Sequence, residues 1–166
     1  MRLVEPSIEW EQEHCTYIDE WGQNRLIPSS LNLEGYQSYS EFIAELDKRK
    51  KGDGKWLPFS SYFLVNDDNR ILGMIDIRHE LNDFLYRIGG NIGYSVRPTE
   101  RKKGYATLAL KLGLEKCRDL GMKEVLITCD QDNIGSAKVI INNGGVEAHS
   151  ETDSDGTVKR RFWIYL

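Results

Sequence analysis

Hydrophobic and polar positions along this chain change period repeatedly, and each change marks a predicted element. Residues 3–5 suit a short first strand. Residues 8–21 are mostly polar, but Cys15, Ile18 and Trp21 recur at helical spacing, which predicts a helix. A loop-like stretch with Pro28 and several Ser and Asn residues follows over 22–40. Phe42, Ile43 and Leu46 then mark a second helix, ending in the basic run 48–51 before Gly52. The apolar run 61–65 and the run 71–77, extendable to 81, flank a turn at 66–69 and read as a hairpin. Residues 91–96 read as a strand stopped by Arg97-Pro98, and residues 105–120 as a long helix closed by Gly121. A strand over 125–128, a helix over 133–142 and a hairpin of 146–152 with 158–166 complete the chain.

Strands paired as hairpins, with a strand–helix–strand crossover at the centre, predict an α/β (α+β) fold. Its core is a mixed, mostly antiparallel central sheet flanked by helices. The helix at 105–120 carries two adjoining apolar stripes. One is Tyr105, Leu108, Ala109 and Leu112; the other is Leu110, Leu114 and Cys117. So broad an apolar face predicts a helix pressed deeply against the sheet. No linker or repeat divides residues 1–166, which read as one domain.

Composition changes this picture little. With 40% hydrophobic and 29% charged residues the chain is ordinary for a soluble domain. A net charge of −4 gives no global attraction to nucleic acid or to an anionic membrane. The N-terminal residues carry no apolar run suited to a signal peptide or a spanning helix. Cys15, Cys117 and Cys129 show neither disulfide nor metal-ligand spacing, and reduced thiols in a cytoplasmic protein are expected. Positive charge gathers locally at Arg97, at 101–103 and at 48–51.

The most informative chemistry lies in Arg101-Lys102-Lys103-Gly104-Tyr105-Ala106, between the strand at 91–96 and the long helix. The first turn of a helix has unpaired N–H groups and partial positive charge, which together suit a phosphate. Gly104 permits close approach of the backbone, and three successive cations add charge-assisted contacts.

On these residues the chain resembles the GNAT superfamily of acetyl-CoA-dependent N-acetyltransferases. The family signature, Arg or Gln, two residues, Gly, one residue, then Gly or Ala, reads here as 101–106. The strand Tyr94-Ser95-Val96 with Arg97-Pro98 precedes it. The strand at 125 and Asn133-Ile134-Gly135-Ser136-Ala137 follow in family order. The resemblance implies a GNAT-like acyl-CoA N-acyltransferase fold and an acetyltransferase with acetyl-CoA as cosubstrate. It implies that the backbone of Tyr94, Ser95 and Val96 pairs with the pantetheine arm as an added strand. Amides of Lys102, Lys103, Gly104, Tyr105, Ala106 and Thr107 would hold the pyrophosphate, with Arg101 and the lysines meeting nucleotide phosphates. Asn133 and Ser136 would face the cofactor from the next helix, and Asn133 equally suits an N-cap.

Acetyl transfer to an amine needs a base or water chain, a donor to the developing oxyanion and an acid for the leaving thiolate. A backbone N–H near Val96 is the implied oxyanion donor. The family's usual acid, a Tyr seven residues after the Asn, is Ile140 here. The glutamate that some members carry before the loop strand is replaced by Gly89-Gly90-Asn91. The nearest titratable groups are Asp76, His79 and Glu80, of which His79 and Glu80 are the candidates for catalysis. By alternation His79 shares a face with Ile75 and Ile77, opposite Asp76 and Glu80. Tyr94 adds a phenol beside the expected thioester.

The acceptor is expected to be an amine on a small molecule or a protein, reacting by direct attack in a ternary complex. Trp21, Tyr36, Tyr39, Trp56, Phe84 and Tyr86 would wall the pocket, and Glu34, Glu41, Glu45 and Asp83 would attract a cation. The alternative is a non-catalytic CoA-binding or sensor protein on the same fold. Neither metal nor nucleic acid is expected as a partner, and Gly-Lys-Ser/Thr spacing for a nucleotide-hydrolysing loop is absent. The C-terminal hairpin offers an edge for pairing as a homodimer.

Overall fold

The computed structural model describes residues 1–52 and 57–166; Trp56, expected in a pocket wall, lies outside them. The strands form two antiparallel sheets. In the first, β1 (Arg2–Val4), β2 (Phe59–Val65), β3 (Ile71–Arg78) and β4 (Ile92–Val96) lie in that order. The second holds β5 (Glu124–Asp130), β6 (Val146–Thr152) and β7 (Val158–Tyr165), with β7 in the middle. Four α-helices are described: α1 (Glu11–Asp19), α2 (Tyr39–Lys51), α3 (Tyr105–Asp119) and α4 (Ile134–Asn142).

Alternation on the strands divides the core. Phe63, Val65 and Met74 face Tyr17, Tyr39, Phe42 and Leu46 of α1 and α2. Tyr62, Ile75 and Ile77 face the other way, toward Leu110, Leu114 and Cys117 of α3. The same cluster continues through Val125, Ile127 and Phe162 of the second sheet to Ala137 and Ile140 of α4, so one core underlies both sheets. The two stripes expected on α3 thus have separate partners. Ala109, with Tyr105, Leu108 and Leu112, packs on Leu64 and Leu72 instead. At Gly113 a Cβ would run into Ile75 Cδ1, so the Ile75 side chain fills the space that the glycine leaves between α3 and β3.

One expected stripe is displaced. The buried positions of α1 are His14 and Tyr17, continued by Trp21, while Cys15 is exposed. Hydropathy favours Cys15, but a histidine tolerates the core when both ring nitrogens are bonded. His14 Nδ1 pairs with the Tyr39 hydroxyl (3.1 Å) and Nε2 with the Leu31 carbonyl (2.9 Å). Burial lowers its pKa to about 4, opposed by the Leu31 contact.

The two sheets are riveted at one end. The Asn91 N–H donates to Leu126 O (2.6 Å), and its side-chain oxygen accepts the Leu126 N–H (2.8 Å). Its Nδ2 donates to Arg78 O (3.0 Å), so one amide side chain behaves as a short piece of ladder between β3 and β5. Gly90 makes this approach feasible: its φ is +67°, and a Cβ would lie 2.7 Å from Leu126 O.

Candidate active site

The register of β3 with β4 decides what β4 offers to a ligand. The Arg78 N–H donates to Asn91 O and the Arg97 N–H to Leu72 O, at the two ends of this pairing. In an antiparallel ladder such bonds recur at every second residue, so the main-chain groups of 93, 95 and 97 point to β3, as does the carbonyl of Asn91, whose N–H turns to Leu126 instead. Those of Ile92, Tyr94 and Val96 point the other way, into the seam toward β5, where β4 is the edge of its sheet. Of the expected β4 residues, Tyr94 and Val96 therefore present main-chain donors and acceptors to the seam. Ser95 does not: its hydroxyl pairs with the Tyr17 hydroxyl (3.0 Å) on the α1 side.

The seam runs toward the start of α3. Gly104 is the N-cap residue, at φ +83°, with no side chain capping the helix and nothing within 4 Å of a Cβ placed there. The glycine is thus demanded by the left-handed backbone, and the space beside the first turn is open. Lys102 also has positive φ, +63°. Arg101 to Gly104 are exposed. Lys103 Nζ meets Glu100 (2.9 Å), while the Arg101 guanidinium lies 5.0 Å from the Trp21 ring centroid and 3.5 Å from Val96 O.

Arg97 departs from the sequence reading. The sequence places its positive charge near the loop, but its side chain is fully buried and bonded to Glu13 (2.5 Å), Glu20 (2.6 Å) and Ile71 O (2.9 Å). Glu13 also accepts the Ile71 N–H, so Arg97 pins α1 to the end of β3. The basic run at 48–51 is likewise tied up in part, with Lys48 and Arg49 on Glu45 and Lys50 on Glu5.

At α4 the side chains close on each other. Asn133 Oδ1 accepts the Ser136 N–H (3.0 Å), which makes Asn133 the N-cap. The Tyr94 hydroxyl crosses the seam from β4 to pair with Ser136 Oγ (2.8 Å). Cys129 of β5 belongs to the same cluster, its thiol meeting Ser136. Burial raises Tyr94 to about 12, against the Ser136 contact.

On the opposite face of β4 lies a buried carboxylate that sequence reasoning considered but did not select. Asp76 Oδ1 accepts the Gly93 N–H (3.0 Å), and Oδ2 accepts from Ser30 (3.1 Å) and Arg78 (3.5 Å). Burial pushes its pKa up, outweighing Arg78 and the Gly93 N–H. The strand register, Asp76 opposite Gly93, is the signal that would have found it. This face is walled by a turn of π-helix, Leu85–Gly89, tied to three strands. Arg78 donates to Gly89 O and Gly90 O, Thr128 to Ile88 O, and Arg161 to Tyr86 O. Phe84 and Tyr86 remain exposed on it.

His79 and Glu80 lie elsewhere. His79 Nε2 pairs with Ser60 Oγ (2.9 Å), and burial lowers its pKa. Both residues line a cleft with Asn91, Met122, Glu124 and Trp163, at the riveted end of the seam. Tyr94 is opposite Ile75; His79 is four residues further along, about 13 Å at strand rise. Ile140 is fully buried, and its carbonyl accepts the N–H groups of Asn143 and Gly145. Of the acids expected to draw a cation, Glu41 is bonded to the Gln37 N–H and Glu45 to Arg49.

The fold and site thus define an α+β domain with an open strand edge leading to an uncapped, basic helix start. Residues 7–146 match the family described as "Acetyltransferase (GNAT) domain", and the chain belongs to the GNAT acetyltransferases. A search of curated protein sequences finds no match. Among solved structures, a point mutant of the spermidine N-acetyltransferase SpeG from Vibrio cholerae superposes with a TM-score of 0.69 at 13% identity, covering 99% of this chain and 95% of that one. The microcin C7 self-immunity acetyltransferase MccE, in complex with acetyl-CoA and AMP, gives 0.68 at 16% identity, covering 99% and 91%. Mycobacterium smegmatis RimJ, in complex with CoA-disulfide, gives 0.68 at 17%, covering 98% and 80%. These likenesses show a shared GNAT fold. Among the described residues no group of three or more His, Cys, Asp or Glu is placed to hold a metal, and no helix is long and apolar enough to cross a membrane.

Proposed function

We propose that the protein transfers an acetyl group from acetyl-CoA to a primary amine by direct attack within a ternary complex. The observation that carries this reading is the edge of β4 at Tyr94 and Val96, which no strand pairs with among the described residues, running to the start of α3 where no side chain caps the helix. An extended amide-bearing arm suits such an edge as an added strand. A pyrophosphate suits the helix start, with Lys102 and Lys103 beside it and Arg101 within reach once it leaves Trp21. Bound there, acetyl-CoA supplies an activated acyl group; the seam-facing N–H of Tyr94 or Val96 supplies the oxyanion donor. The amine would enter over the opposite face of β4, between the Ser30 loop and the Leu85–Gly89 turn. Asp76 is the carboxylate bonded to β4 on that side among the described residues, and its burial favours holding a proton there.

A thiol-release assay with acetyl-CoA over a panel of small amines, amino acids and peptides tests the reading, beside an acetyl-CoA thermal shift. CoA release above hydrolysis with at least one amine is expected. The burial of Ile140 favours one other reading, a CoA-binding or sensor protein without turnover. A thermal shift with no release across the whole panel selects it.

A further inference from the structure

With α4's usual acid position occupied by Ile140 and sealed in the core, the phenol facing the same helix comes from another strand. We propose that Tyr94 donates the proton taken up by the departing CoA sulfur, with Ser136 orienting its hydroxyl; this rests on the transferase reading above. Three features point to it. Tyr94 reaches from β4 to the first turn of α4, so its hydroxyl lies beside Ser136 across the seam. Its own main-chain N–H faces the same seam, which places an oxyanion donor and an acid on one residue. Ser136 meets the phenol at 2.8 Å, and its N–H is fixed by Asn133, so the hydroxyl that orients Tyr94 is itself held.

The step balances without any further reagent than water. The amine nitrogen bonds to the thioester carbon, and collapse of the tetrahedral species breaks the C–S bond, leaving the electron pair on sulfur. The Tyr94 hydroxyl proton passes to that sulfur, the phenolate recovers a proton from water through Ser136 Oγ, and the amine's surplus proton leaves to water. Because burial holds Tyr94 near 12, the phenol is protonated throughout the neutral range and keeps its proton until sulfur charge develops.

The test compares wild type with Tyr94→Phe, which keeps the ring and its packing, and with Ser136→Ala. The thiol of bound CoA is titrated by thiolate absorbance against ligand-free protein, alongside turnover with the best amine. For Tyr94→Phe we expect kcat to fall about 100-fold, with the acetyl-CoA thermal shift retained. The bound CoA thiol should titrate at higher pH in that variant, because the thiolate has lost a donor. Ser136→Ala should move both readouts in the same direction and less far. An unchanged thiol titration in Tyr94→Phe, or unchanged kcat, overturns the assignment. If wild type turns over no amine, the transferase reading fails, while the titration still decides whether the phenol reaches the sulfur.

Discussion

The starts of α3 and α4 lie on either side of the same seam and solve the same problem in opposite ways. Every helix begins with N–H groups that its own turns do not satisfy. At α4 the chain answers internally: Asn133 caps Ser136, and the Ser136 hydroxyl is taken by Tyr94. At α3 no side chain caps the helix, glycine occupies the N-cap in a left-handed conformation, and the neighbouring cations are exposed. A self-satisfied helix start stabilises the fold and orients side chains; an unsatisfied one keeps its donors for an anion. The resemblance assigns cofactor contacts to both starts, so the pattern of residues alone does not say which of them holds a ligand.

The two arginines that flank the α3 loop carry the largest expected difference. Arg97→Met should cost about 3 kcal/mol of unfolding free energy in urea, because Glu13 and Glu20 lose their buried partner. The affinity of the surviving folded fraction for acetyl-CoA should stay near wild type. Next, Arg101→Glu with Lys103→Glu should weaken acetyl-CoA about 100-fold and remove its thermal shift, while the melting temperature without ligand changes little. An intact shift would refute the assignment of the phosphates to α3. Asn133→Ala should cost about 1 kcal/mol of stability and change acetyl-CoA affinity by less than about threefold. A loss matching the Arg101 and Lys103 variant would show that both helix starts hold ligand and would erase the contrast. The smallest effect is expected at His79→Gln: it is bonded to Ser60 of β2 and sits at the riveted end of the seam, about 13 Å from Tyr94 at strand rise, so kcat and affinity should each stay within about twofold. A larger fall in kcat with the thermal shift intact would return His79 to the mechanism.

What was legible in the sequence was what short-range patterns encode. The elements, the crossover and both α3 stripes follow from hydrophobic period, and the loop at 101–106 follows from spacing. On α1, hydropathy ranks Cys15 above His14, and two hydrogen bonds from distant residues, Tyr39 and Leu31, reverse the ranking. In sequence, Asn91 reads as a vacant position where some family members hold a glutamate; it joins the sheets, a role visible only once Leu126 is placed beside it. Of the titratable groups near one strand end, the sequence favours His79 over Asp76, and only the β3–β4 register, which sets Asp76 opposite Gly93, shows that Asp76 is the one bonded to β4.

The sequence by itself therefore determined the order of strands and helices and the basic, glycine-bearing helix start on which the resemblance to the GNAT family rests, because period and spacing act over a few residues of continuous chain. Tertiary structure alone decided which cations are exposed, which helix start is open, and where the phenol of Tyr94 points. Those depend on partners tens of residues away: Glu13 and Glu20 for Arg97, Ser136 for Tyr94, Leu126 for Asn91. Burial and a hydrogen bond change a side chain's charge state and reach far more than its identity does, and both are properties of the packed molecule.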